Sequence, residues 1–262
     1  MKKIIFSLLI LLTLTGLIAQ NEDDVNKFKS MKLVAEKGDA SAQWALGTLY
    51  ERGQGVIQDY QAAVKWYRLA ANQGDTMAQI CLGVCYLNGR GVEQDYQKAF
   101  KWSKLSAEQG FDGAQYNIGL MYVDGVGVEQ DYKEAIKWYR LAAEQGHAKA
   151  QFYLGVNYYN GQGVIQDYKE AMKWFRLAAE QGYAKAQYKL GVTYKYGEGE
   201  EVIQDYQEAF KWYLLACSNS TGEVFNESSK NRDSVRKELT QSQINEATRE
   251  AREIQKRIDE KE

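Results

Sequence analysis

The chain of 262 residues contains no proline. Its helices therefore meet no breaker of that kind, and glycine, with 23 copies, must supply the punctuation. Histidine is nearly absent as well: His147 is the single copy, so a triad or a zinc site built on histidine would lack partners. Three cysteines, Cys81, Cys85 and Cys217, form no disulfide framework, and two of them stand four apart on one expected helix, where geometry does not favour a bridge. We read them as small apolar fillers. Charge of one sign is missing too. With 33 basic against 35 acidic residues and no basic run in the interior, nucleic acid is not an expected partner. The longest mostly apolar run, Ile4 to Ile18, is about 15 residues, short of the roughly 20 that cross a bilayer.

That stretch follows Lys2 and Lys3 and leads through Ala19 and Gln20 into an acidic segment, the order of a secretory signal peptide. Cleavage is expected near Ala19, with an uncleaved anchor as the alternative. Leu17 is a poor match to the small residue wanted three positions before the cut. The mature chain would then be exported, periplasmic or secreted, with no stable membrane span. No cysteine stands near the junction to carry a lipid anchor.

What is abundant is repetition. GQGVIQDY occurs at 53–60 and again at 161–168, and QDY recurs at 58–60, 94–96, 130–132, 166–168 and 204–206. QDY and the tryptophans at 66, 102, 138, 174 and 212 keep a period of 36 residues, 38 at the last step, and AQ, an LG or IG pair and a tyrosine at 50, 86, 122, 158 and 194 keep 36 throughout. A fixed period of this size signals a stacked array. The GxG is consequently a turn between helices. A dinucleotide fingerprint would need a third glycine where Gln58 stands and a strand ahead of it.

Each unit reads as two helices. In the third, Ala114, Ile118 and Tyr122 share one face before Gly125 and Gly127 break the pattern. Asp131 is a strong N-cap for the second helix, and the pairs Asp131 with Glu134, Asp167 with Glu170 and Asp205 with Glu208 predict capping boxes. That helix buries Ala135, Trp138 and Ala142 and stops at Gly146. The unvarying register of the five tryptophans marks them as core.

The pattern A-x-A-Q-x-x-L-G-x-x-Y, G-x-G-V, D-Y-x-x-A-x-K-W, A-A-x-Q-G resembles the Sel1-like repeat, a relative of the tetratricopeptide repeat, over residues 39 to 217. The resemblance implies an all-α, right-handed α-solenoid of five helix-turn-helix repeats. Its parts are a signal peptide (1–19), an N-terminal capping half-repeat (20–38), and repeats at 39–74, 75–110, 111–146, 147–182 and 183–217. A polar loop (218–234) and C-terminal capping helices (235–262) follow. Departures are the unusual residues 75–77 and 104–106, two extra residues at Glu200 and Glu201, and Ser218-Asn219-Ser220 in place of the closing EQG, which puts the end of that helix in question. Thr240 and Gln243 form a further capping box, ahead of a stripe of Ile244, Ala247, Ala251 and Ile254 that packs inward.

In the related repeat the first helices line a concave wall, and positions that vary while the scaffold repeats are candidates for contact. The column Trp44, Ile80, Tyr116, Phe152, Tyr188 offers large rings, shared between partner binding and inter-repeat packing. Two neighbouring columns add Asn88, Tyr159, Asn160 and Tyr196. The resemblance implies a non-catalytic adaptor that takes another protein or an extended peptide, with no cofactor and no metal. The alternative is an envelope peptidoglycan-binding or penicillin-binding protein, or a weak β-lactamase-like enzyme, because some cysteine-rich relatives are linked to those ligands and Ser234 to Lys237 spell S-x-x-K. The SDN and KTG companions of that motif are missing.

Overall fold

A computed structural model describes residues 22–200 and 202–261, so the expected signal peptide lies outside the described residues. The described residues divide into two compact units, 22–114 with 126–128, and 115–125 with those from 129 onward. The first holds α1 (22–36), α2 (Ala40–Arg52), α3 (Tyr60–Asn72), α4 (Thr76–Asn88) and α5 (Tyr96–Glu108). Helix α6 (Asp112–Asp124) begins at the boundary. The second unit continues with α7 (Tyr132–Glu144), α8 (Ala148–Asn160), α9 (Tyr168–Ala179), α10 (Ala184–Tyr196), α11 (Tyr206–Ser218), α12 (Gly222–Val235), a 3-10 turn (Arg236–Glu238) and α13 (Gln241–Asp259). No strand occurs among the described residues beyond an isolated bridge between Glu198 and Val202. The fold is an all-α solenoid of paired helices.

Aspartate starts every second helix. The Asp131 carboxylate accepts the N–H groups of Lys133 (2.8 Å) and Glu134 (3.1 Å), satisfying donors that a first turn leaves open. The expected reciprocal half of the capping box does not form in these repeats. The N–H of Asp131 donates instead to the carbonyl of Tyr122 at 3.0 Å, as Asp167 does to Tyr158 and Asp205 to Tyr194. With that donor taken, Glu134, Glu170 and Glu208 turn to Lys137, Lys173 and Lys211. The complete box occurs at Thr240 and Gln243.

Two glycines of each unit do different work. Gly91 has φ +69°, and a Cβ there would overlap the carbonyl of Tyr60 in the preceding repeat. This is why the turn between helices is glycine-bearing. The LG glycine makes room for a ring: a Cβ on Gly47 would sit 2.6 Å from Tyr67, and on Gly155 2.7 Å from Phe175. Those rings, with Tyr139 and Tyr213, are fully buried. Repeat two has Ser103 there instead.

The tryptophans one residue earlier behave less uniformly than their register implies. Trp174 and Trp212 are buried, but Trp66, Trp102 and Trp138 are half-buried. Trp174 belongs to the apolar cluster that holds Ile136 and Ala143 of the preceding repeat's second helix, while the next residue, Phe175, is fully enclosed.

A glutamine tie joins three helices in repeats one, two and four. Gln151 donates to the carbonyl of Ala143 on α7 (3.0 Å) and accepts from Gln181 at the end of α9 (2.8 Å). Gln43 and Gln79 make the same pair of bonds in the first unit, to Ala35 and Gln73 and to Ala71 and Gln109. In repeat five α11 runs through Ser218, and Asn219 takes the glutamine's place, bonding Gln187 at 3.2 Å and Gln255 of α13 at 2.8 Å.

Residues 222–234, expected within a polar loop, are helical, in a helix that runs on through Val235. Propensity is overridden by packing. Ser228 and Val235 are buried, and Val235 joins Ala209, Phe210, Tyr213 and Ala247, so a nearly all-polar segment is held by small residues against α11.

Candidate partner-binding face

The column of rings is largely spent on packing. Tyr116 stacks on His147 at 4.9 Å and lies 5.8 Å from Tyr153. Phe152 sits between Phe175 (5.7 Å) and Tyr183 (5.3 Å, edge-on), and Tyr188 is 6.0 Å from Tyr213. Each of the first two thus meets the turn residue of the following repeat. Burial pushes the phenols of Tyr116 and Tyr188 above the ordinary tyrosine range. Trp44 on α2 is half-buried in the same way.

The neighbouring columns are more open. Tyr196, the last residue of α10, is 65% exposed, with the Lys195 ammonium 5.1 Å from its ring centroid. Lys195 is itself anchored to Asn231 of α12 at 2.8 Å. Asn160 and Asn88 are exposed at the ends of α8 and α4. Tyr159 is half-buried: its ring packs edge-on to Tyr168 at 5.2 Å and its hydroxyl donates to Glu198. The Lys189 ammonium lies 3.5 Å from the Tyr159 ring centroid, a cation–π geometry. Desolvation holds the Lys189 pKa below the usual lysine value, partly opposed by Glu198.

Lys189, Glu198 and Asn231 escaped sequence reasoning. Lys189 could have been found, since its column otherwise reads Ala45, Cys81, Asn117 and Tyr153. Asn231 could not, because the largely polar stretch 222–235 that carries it shows no helical periodicity of apolar residues.

Other candidates have structural posts. His147 is the N-cap of α8, its Nδ1 accepting from Ala150 N–H at 3.1 Å. Ser234 is exposed on the last turn of α12 and Lys237 on the 3-10 turn, without a hydrogen bond between their side chains. All three cysteines are free, and burial raises each thiol pKa, that of Cys85 to about 12. Among the described residues no cluster of three metal-ligating side chains occurs, and no helix is long and apolar enough to cross a membrane.

The Sel1 repeat profile matches residues 40–75, 76–111, 113–147, 148–183 and 184–220. Among solved structures, the chain is similar to c5321, a protective antigen of uropathogenic Escherichia coli with an SLR fold, at 31% identity and a TM-score of 0.76. That match covers 87% of this chain, which spans about half (49%) of the Escherichia coli protein. A Sel1 repeat protein from Oxalobacter formigenes is 32% identical with a TM-score of 0.70, over 77% of this chain and 85% of that one. No curated protein matches the chain. Five matched repeats and two similar structures above 30% identity make the conclusion direct: the chain belongs to the Sel1 repeat family.

Proposed function

We propose that this protein is a non-catalytic interaction scaffold of the bacterial envelope or exterior, holding a protein partner or extended peptide along the face of its first helices. Sel1 repeat proteins generally mediate protein–protein interaction, and the repeated residues here are consumed in holding helix to helix. The single observation that carries the choice of face is Tyr196. It is a large ring, mostly in solvent, on a column that otherwise holds Arg52, Asn88, Asp124 and Asn160, and its lysine neighbour is fixed by α12. Tyr and a fixed cation supply contact area and charge at low entropy cost. Export rests on the charge order of residues 1–20.

The test uses residues 20–262 as bait in envelope and secreted extracts, beside a variant carrying Asn88→Ala, Asn160→Ala and Tyr196→Ala. These residues are exposed, so the variant keeps its helicity. A partner held by the parent and lost by the variant supports the reading, and a partner held equally by both overturns the choice of face. Labelling by a fluorescent penicillin that disappears in Ser234→Ala would overturn the scaffold reading itself.

A further inference from the structure

The second unit carries an open groove of about 610 Å³ between α9 and the turn ahead of α11. One wall is cationic, with Lys169, Lys173 and Arg176 on successive turns of α9. The other is apolar, with Val202 and Ile203, and Met172 lies at the base. Ile203 is 84% exposed and adjoins Val202, which adds apolar surface to that wall. Lys173 is shared with Glu170 at 3.5 Å, and Arg176 donates to the Tyr194 hydroxyl at 2.6 Å. Lys169 makes no ion pair among the described residues. The lining carboxylate, Asp205, accepts from the N–H groups of Gln207 and Glu208 through Oδ1 and makes no ion pair among the described residues.

The same residue types recur one repeat earlier. Lys133, Ile136, Lys137 and Arg140 stand in register on α7 with Lys169, Met172, Lys173 and Arg176, and Ile165 stands in register with Ile203. Ile165 is 89% exposed, and Arg140 donates to Tyr158 as Arg176 does to Tyr194.

Two columns in different repeats change together. Where the second helix has lysine (133, 169), the next turn has isoleucine (165, 203); where it has glutamine (61, 97), the next turn has glutamate (93, 129). Internal charge pairing would favour the opposite assortment, lysine facing glutamate. The chain instead places its extra cation where the facing turn has given up its carboxylate and presents an apolar side chain. A cation left unmatched beside exposed apolar surface is complementary to a ligand that is both acidic and apolar.

We propose that this groove and the equivalent surface one repeat earlier are a second docking surface, for an acidic peptide segment of a partner in which carboxylates and apolar side chains alternate. Its carboxylates meet Lys133 and Lys169, and its apolar side chains cover Ile165 and Ile203. The recess favours side chains over a flat bilayer, which would reach the isoleucines without entering between the walls. This surface is independent of the first-helix face proposed above.

The experiment measures fluorescence anisotropy of a labelled synthetic peptide of Asp, Glu, Leu and Ser against the full protein, beside the same peptide with Asn and Gln for Asp and Glu. The variants convert each site to the type found in the other repeats. One carries Lys133→Gln with Lys169→Gln, another Ile165→Glu with Ile203→Glu, and Asn160→Ala with Tyr196→Ala serves as a control on the first-helix face. The sequence already tolerates those substitutions at equivalent positions, so the variants fold. The expected result is binding that either groove variant weakens about tenfold or more, that falls as salt rises, and that the control leaves unchanged. Equal binding of the uncharged peptide, insensitivity to both groove variants, or binding to phosphatidylglycerol vesicles without binding to the peptide would overturn it.

Discussion

Gln151 and Gln181, thirty positions apart, meet side chain to side chain at 2.8 Å, while the Gln151 amide also reaches the Ala143 carbonyl of the preceding repeat at 3.0 Å. One buried amide therefore ties three helices, in surroundings that make a satisfied polar group valuable and an unsatisfied one costly. Gln151→Leu keeps the bulk and removes both bonds. It should lower unfolding free energy by about 1–3 kcal/mol in urea titration. Gln181→Ala, which loses one bond at a more exposed site, should cost less, and equal costs would show that the tie is not the reason.

Glycine against ring is the second test. Gly155→Ala puts a methyl group 2.7 Å from the Phe175 ring, which is enclosed on all sides. About 1–3 kcal/mol of overpacking strain is expected. Gly83→Ala meets the Ser103 hydroxyl at 2.8 Å, a side chain that can rotate away, so its melting temperature should change less. A double variant, Gly155→Ala with Phe175→Leu, should recover part of the loss.

Lys211 is 8% exposed and lies between Glu208 of its own helix and Glu250 of α13. Glu208 also accepts from the Trp212 indole at 3.1 Å. Removing Glu208 leaves an ammonium and an indole N–H short of a partner, so Glu208→Ala should destabilise by about 2–4 kcal/mol. Glu250→Ala leaves Glu208 in place and should cost less. Lys211→Met, which removes the buried charge, should fall below both, since the two carboxylates can turn to water. Thermal unfolding of the three variants ranks them.

Alkaline pH should unfold the protein early. Burial raises the phenols of Tyr67, Tyr139 and Tyr213 above 10 and the Cys85 thiol from 9.0 to about 12. Groups with raised native pKa contribute stability that is intact below their unfolded values and is lost as pH climbs through the native ones. Melting temperature should therefore hold below about pH 9 and decline above it. The tyrosinate absorbance of the native state should rise only in part until unfolding releases the rest. In the same protein, Cys85 should be the last thiol to react with a disulfide reagent, because the thiolate is the attacking form.

Much of the fold was legible because the period of 36 repeats every cue: the aspartate caps, the glycines and the alternation of two helices. The cues failed where two donors or two rings compete for one place. Asp131 can close a capping box only if its N–H is free, and nothing local reveals that Tyr122 takes it. Trp138 recurs in every unit and Tyr139 does not, yet it is the second that lies opposite a glycine. Helix α12 was hidden because its buried positions, Ser228 among them, are small and polar. The face of the first helices was legible as a set of columns, but the sharing of rings between neighbours, Tyr116 with His147 and Phe152 with Tyr183, depends on stacking that no single repeat contains.

The glutamine tie has a bearing on how such a chain can change. Each tie uses an alanine carbonyl eight positions before its glutamine, and in repeats one, two and four the second amide stands thirty positions after it. A block of thirty-six residues cut out or copied among repeats of that kind restores the same set of bonds at the new junction. Array length is thereby a heritable quantity that can step up or down by whole units, with each step lengthening or shortening the surface offered to a partner and leaving the joints as they were.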